Sequence, residues 1–173
     1  MMEKVIEALK AGKLVVYPTD TVYGLGADAL NERAVDLVYE VKQRPRDQPI
    51  SILVADFEML YEYAHVSGEQ KKTIEEKLPG PYTFILEPKQ KLSVSNGNIG
   101  FRIPKHWCTK IAKELGRPIT TTSANIHGRE VPATITEMRK TFGEKIEVYI
   151  DGGTLAGKPS TVIDLTNLNI IRE

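Results

Sequence analysis

Short apolar runs of strand length alternate with helically spaced segments along this chain, and that alternation limits its fold more than any other feature. Val5, Ile6, Leu9 and Leu14 frame an opening helix, with Gly12 at its expected C-terminus. LVVYP (14–18) is bounded by turn residues and predicts a buried strand, with VYGLGADA (22–29) returning beside it. Asn31 can cap a helix on which Ala34, Val35, Val38 and Val41 recur at helical spacing, and Pro45 stops it after Gln43. ISILV (50–54) predicts a strand, followed by helical stretches near 56–63 and 68–77. LPGPYTFILE (78–87) reads as a turn and a strand, and IGFRI (99–103) as another strand. A helix over 105–115 ends at Gly116, PITTTSA (118–124) is extended, and Thr134 to Phe142 is helical. EVYID (147–151), TVIDL (161–165) and LNIIRE (168–173) are strands. Alternating elements of this kind predict a layered α/β domain around one central sheet. Short turns between several strands make that sheet mixed. Without a repeat, a low-complexity tract or a long linker, residues 1–173 are expected to form one domain.

Composition removes several function classes. Hydrophobic content of 41% and charged content of 27% are those of an ordinary soluble globular protein. Acidic and basic residues balance at 23 each, so any contact with RNA must come from a local patch. One cysteine, Cys108, excludes an internal disulfide framework, a CxxC redox pair and a cysteine-rich zinc site. His65, His106 and His127 show no metal-ligand spacing and read as surface or packing residues, so no protein-bound metal is expected. There is no twenty-residue apolar span and no signal peptide, so the expected location is the cytoplasm, away from membranes. Neither a GxxxxGK[ST] loop nor a GxGxxG fingerprint is present, and no Ser–His–acid set stands out.

What remains is a set of hydroxyls and cations at predicted strand ends and turns. Thr19 and Thr21 follow the first strand; Lys42, Arg44 and Arg46 lie between a helix and a proline-stiffened corner. Arg102 sits among Ile99, Phe101 and Ile103, where burial is costly unless an anion meets it. An edge-strand arginine facing water explains it equally well. Thr121 and Ser123 share one face of an extended segment, with Asn125 just beyond, although threonines in strands and Ser/Asn in turns are ordinary. The cationic corner alone reads as a solvated helix end. Together, these groups suit an anionic ligand held by cations and hydroxyls without a strong base. Phosphoryl or nucleotidyl transfer needs such a site. The chemistry of the residues leads to that class and no further.

PTDTVYGLGADA, VKQRPRDQPI, LPGPYTFIL, IGFRIP, TTSAN and PSTVIDL, in this order from about Leu14 to Arg172, resemble the YrdC-type threonylcarbamoyl-AMP synthase family. Its hallmarks are a K-x-R motif, here Lys42 and Arg44, and an S-x-N motif, here Ser123 and Asn125. The resemblance implies a three-layer α/β domain whose twisted, mixed and largely antiparallel sheet is flanked by helices and carries a positively charged cavity. It implies an enzyme that makes threonylcarbamoyl-AMP and pyrophosphate from L-threonine, bicarbonate and ATP, with Mg²⁺ accompanying the ATP. A downstream threonylcarbamoyl transferase would then modify tRNA, whose contact with this chain is weak or indirect. By motif, Lys42, Arg44, Ser123 and Asn125 are the catalytic set. ATP would be bound by these four with Gln48, Asn98, Val131 (through its backbone) and Arg172, and threonine by Thr21, Arg102, Thr121 and Ser160.

The chain departs from the family pattern in places. Gln43 stands where many relatives have Gly, Gln48 where they have Asn or Lys, and His127 where Ser is common. Leu53 occupies the position of a threonine-contacting His in longer relatives, so that contact is expected to be absent. The sequence ends at IIRE, where longer relatives enter a linker and second domain, so a single-domain form is expected. Two other functions compete: a paralogous YciO-type or carbamoyl-adenylate-forming enzyme, and a non-catalytic module binding tRNA or double-stranded RNA. Balanced charge and the absence of aromatic–basic interleaving disfavour the latter.

Overall fold

The computed structural model describes residues 1–173. Helix α1 (Met2–Lys10) buries Val5, Ala8 and Leu9, and Gly12 just beyond it takes the positive φ that favours glycine. Strands β1 (Val15–Tyr17) and β2 (Gly24–Gly26) pair antiparallel. Asn31 caps α2 (Glu32–Lys42) by accepting from the Ala34 amide, and Gln43 closes it in a left-handed conformation. Strand β3 (Ile52–Leu53), helix α3 (Phe57–Tyr63), strand β4 (Ala64–His65) and helix α4 (Gly68–Lys77) follow. Next come β5 (Tyr82–Pro88), β6 (Ile99–Arg102), α5 (Thr109–Leu115), β7 (Ile119–Thr120) and β8 (Thr122–Ser123). Helix α6 (Ile135–Phe142) and strands β9 (Val148–Tyr149), β10 (Thr161–Asp164) and β11 (Asn169–Arg172) complete the order.

The α/β class and the mixed, largely antiparallel pairing agree with the sequence reading: six of the nine strand pairings are antiparallel. The strands divide over two sheets, however, ordered β8-β2-β1-β9 and β11-β10-β5-β6-β3-β7, with β4 added beside β5. The cause lies in the stretch 118–124. Its first half pairs with β3 and its second half with β2, so one extended segment passes from sheet to sheet. Thr120 fastens the crossing. Its hydroxyl accepts from the Ala27 amide at 2.9 Å and donates to the Leu25 carbonyl at 3.1 Å, and its carbonyl accepts from Tyr17 Oη at 3.0 Å. Burial pushes the Tyr17 phenol pKa well up, so that hydroxyl stays a donor.

Two further corrections concern element ends. Helix α5 begins at Thr109, not Lys105, because the Lys105 amide donates to Asp20 and the Cys108 amide to His106 Nδ1, forming a turn before the helix. Strand β4 was not expected, since two residues carry no readable period. The main core of 33 residues draws on both sheets together with α2 and α6, while a second core of 12 joins α1 and α5 to β1. No helix is long and apolar enough to cross a membrane.

Candidate active site

Strands β5 and β6 each send alternate side chains to opposite faces. Phe84 and Leu86 on β5, and Ile99 and Phe101 on β6, enter the main core. Thr83 and Ile85, with Gly100 and Arg102, face the other way and form the floor of a cavity of about 290 Å³. Register aligns them across the sheet: Val162 lies opposite Thr83, and Ile85 opposite Gly100. Gly100 is needed in the middle of this floor. A Cβ there would sit 2.3 Å from Ser51 Oγ and 2.8 Å from Thr83 Cγ2.

Cations rise around this floor. Arg44, Arg102 and Arg172 all line the cavity. Arg102 comes from the floor itself, Arg44 from just beyond α2, and Arg172 from β11. Arg102 is 6% exposed; its Nη2 donates to Asp20 Oδ1 at 2.9 Å and to Thr21 Oγ1 at 3.4 Å. Asp20 is held in turn by the Lys105 amide at 2.9 Å. The Nε of Arg102 is buried with no partner, a donor left over for a ligand. Arg44 donates to the carbonyls of Gln48 and Pro49, and Arg172 to the Ser160 carbonyl, so neither meets a carboxylate. Burial lowers the pKa of both, and repulsion from Arg102 and Arg44 lowers that of Arg172 further. Three guanidiniums against the single carboxylate Asp20 leave the cavity short of negative charge. Hydroxyls complete it: Thr21, Thr121, Ser123 and Ser160 line the wall, and Thr83 Oγ1 lies 2.7 Å from Ser160 Oγ.

The structure therefore brings Thr21, Arg44, Asn98, Arg102, Thr121, Ser123, Ser160 and Arg172 to one cavity. Lys42, Gln48, Asn125 and Val131 do not line it. Lys42 is 1% exposed behind the wall, where its Nζ donates to the carbonyls of Ser123 (2.6 Å) and Asn125 (2.9 Å) and to Asn125 Oδ1 (3.0 Å). The Asn125 amide is used up inside its own turn: Oδ1 also accepts from Ser123 Oγ at 2.6 Å, and Nδ2 donates to the carbonyls of Ile126 and Arg129. Arg46 stays half-exposed at the corner, where it pairs with Asp36 and lies 4.4 Å over the Tyr39 ring. Leu53 is fully buried in the second core and does not line the cavity. Sequence reasoning missed Ser51, Thr83 and Gly100. The period-two alternation of TFIL and IGFR, followed through, places Thr83 and Gly100 opposite the core residues.

No group of three or more His, Cys, Asp or Glu side chains converges anywhere, so the chain offers no preformed cage for a divalent cation.

The Sua5/YciO/YrdC family model, described as "Telomere recombination", matches residues 7–173. This chain belongs to the Sua5/YciO/YrdC family. Within it, a Methanocaldococcus jannaschii protein provisionally named as a threonylcarbamoyl-AMP synthase is 44% identical over 98% of this chain and 84% of its own length. The threonylcarbamoyl-AMP synthase of Vibrio vulnificus is 32% identical over 99% of this chain and 97% of its own. The crystal structure of Pyrococcus abyssi Sua5 complexed with L-threonine superposes with a TM-score of 0.87 at 39% identity, covering 96% of this chain and 52% of that one. Escherichia coli YciO superposes with a TM-score of 0.90 at 28% identity, covering 99% of this chain and 88% of its own. The family's fold is thus this fold.

Proposed function

We propose that this chain is an L-threonylcarbamoyladenylate synthase, a nucleotidyltransferase that converts L-threonine, bicarbonate and ATP into threonylcarbamoyl-AMP and pyrophosphate. One observation carries the reading: a buried arginine with an unpartnered donor, Arg102, shares a hydroxyl-lined cavity with two guanidiniums that meet no carboxylate, Arg44 and Arg172. Relatives that cover the chain almost end to end bear the name of this activity, and P. abyssi Sua5 was solved with L-threonine.

In this reading, threonine lies along the floor. Its carboxylate meets Arg102, with Thr21, Thr121 and Ser160 around it. Arg44, Asn98, Ser123 and Arg172 face the nucleotide, and Gln48 and the Val131 backbone reach it only after closure, since neither lines the cavity here. The threonine amine attacks the carbon of bicarbonate, and water leaves, giving a carbamate. A carbamate oxygen then attacks the α-phosphorus of ATP, and the bond from that phosphorus to pyrophosphate breaks. No strong base is needed for the second step, because the carbamate is already an anion. The cationic cavity offsets the charge gathering on the phosphates, and losing one such group costs on the order of 10²–10³ in rate. Mg²⁺ arrives as part of the MgATP substrate. The product is a mixed anhydride whose use demands a separate acyl-type transfer, here to an adenosine of tRNA, whose contact with this chain is weak or indirect.

The likeness to YciO favours one second reading, a paralogous enzyme that makes carbamoyl-adenylate or a related adenylate on the same floor. Incubation with ATP, Mg²⁺, labelled bicarbonate and a panel of amino acids separates these. Pyrophosphate release that depends on threonine supports the proposal. Release with carbamoyl phosphate and no threonine replaces it with the second reading, and tight tRNA binding without turnover overturns both.

A further inference from the structure

The K-x-R motif places two cations two residues apart, and the fold sends them to different places. Arg44 lines the cavity; Lys42 does not. Lys42 falls on the helix stripe of Val35, Val38 and Tyr39, all buried, which carries its ammonium under the 123–127 turn. There it makes four hydrogen bonds to that turn. Three run from Nζ, and the fourth is its own carbonyl accepting from the His127 amide at 2.7 Å. No carboxylate pairs with it.

We infer that Lys42 is a positioning residue, which serves the nucleotide by fixing the 123–127 turn and the Ser123 hydroxyl on it, and does not itself touch the phosphates. The route is short. Nζ holds Asn125 Oδ1, and that same oxygen accepts from Ser123 Oγ, whose side chain lines the cavity. To reach a phosphate, Nζ would have to abandon three acceptors; the Ser123 carbonyl and Asn125 Oδ1 would keep the Asn125 amide and Ser123 Oγ as donors, but the Asn125 carbonyl would be left with none. Burial, with a smaller push from Arg44, brings the Lys42 pKa down to about 7, as expected of an ammonium removed from water rather than one facing an open anion site. The inference rests on the adenylate-forming reading only for the reaction it serves; the clamp itself is a property of the free protein.

The test compares Lys42→Met, Lys42→Arg and Arg44→Ala with the parent chain. Amide hydrogen exchange over residues 123–129, measured without nucleotide, is expected to speed up in both Lys42 variants and stay unchanged in Arg44→Ala. MgATP binding is then followed by calorimetry over a range of salt. Arg44→Ala should flatten the salt dependence, because an exposed charge contact is gone, whereas Lys42→Met should weaken binding and keep the slope. Turnover in Lys42→Met should fall ~10²-fold, the loss that a misplaced contact of about 1 Å brings. Should Lys42→Met fail to fold, Lys42→Arg decides: it keeps the charge, so retained ATP affinity with unchanged exchange overturns the inference. A flattened salt slope in Lys42→Met does the same. If the parent chain makes no adenylate, the proposed function falls while exchange and ATP binding still judge the clamp.

Discussion

Removing Arg102 separates its structural task from its chemical one. Arg102→Met keeps the stem and deletes the guanidinium, stranding Asp20 with only the Lys105 amide at 2.9 Å. The two side chains are 7% and 12% exposed, so this is breakage of a buried pair from one side, which costs about 3–5 kcal/mol. The surviving amide bond places Asp20 at the low end, at about 3 kcal/mol. For a chain of this length that corresponds to a drop in Tm of roughly 6–12 °C. Adding Asp20→Asn removes the stranded charge and should return stability to within about 1 kcal/mol of the parent. Activity should not return, because the buried donor proposed for the threonine carboxylate is still missing. Urea denaturation gives the stabilities, and threonine-dependent pyrophosphate release gives the function. Equal destabilisation of the single and double variants would refute the ion-pair account. Recovery of turnover in the double variant would refute the carboxylate role.

Arg44→Ala should cut pyrophosphate release ~10²–10³-fold while thermal melts move by no more than about 2 °C, since its side chain meets only the carbonyls of Gln48 and Pro49. Gly100→Ala should cost about 1–3 kcal/mol in denaturation and weaken ATP binding, because the new methyl collides with Ser51 and Thr83. Adding Ser51→Gly should recover part of the stability, since the 2.3 Å and 3.1 Å contacts vanish and only the Thr83 contact at 2.8 Å stays. Lys42 titrates near 7 when folded and at its ordinary 10.5 when unfolded, so between those values the unfolded chain binds more protons and stability rises with pH. Denaturation at several pH values across that window should show the parent gaining on Lys42→Met as pH increases; a flat difference would show that the three oxygen acceptors keep the ammonium charged.

The parts of this fold legible in the sequence are those set by local chemistry. The Asn31 cap, the stop before Pro45 and the capping box that opens α6 at Thr134 are readable because each is made by residues a few positions apart. Gln43 itself takes a left-handed conformation, a backbone setting that glycine adopts at no steric cost. The division of 118–124 between two sheets was hidden, because strands of two residues have no period and their partners lie between 66 and 99 positions away. In the site, the charges of Arg44 and Arg102 were visible, but depth was not. Lys42 and Arg44 look equivalent in sequence, and only the stripe from Val35 through Val38 to Lys42 tells them apart. Ser51 and Gly100 matter through a contact between adjacent strands that neither residue type announces.

The crossing at Thr120 bears on how the chain folds. Its hydrogen bonds to Tyr17, Ala27 and Leu25 close loops of 103, 93 and 95 residues, and the cavity beside it draws on positions from Thr21 to Arg172. High contact order of this kind slows folding, since loop entropy is lost before the contacts that repay it form. The cavity is therefore complete only once both sheets have formed. A substrate bound there is felt by global unfolding, by about 2.7 kcal/mol at a hundredfold excess over Kd. A ligand of this cavity is therefore expected to protect the chain from proteolysis, because cleavage follows the unfolded population that binding depletes.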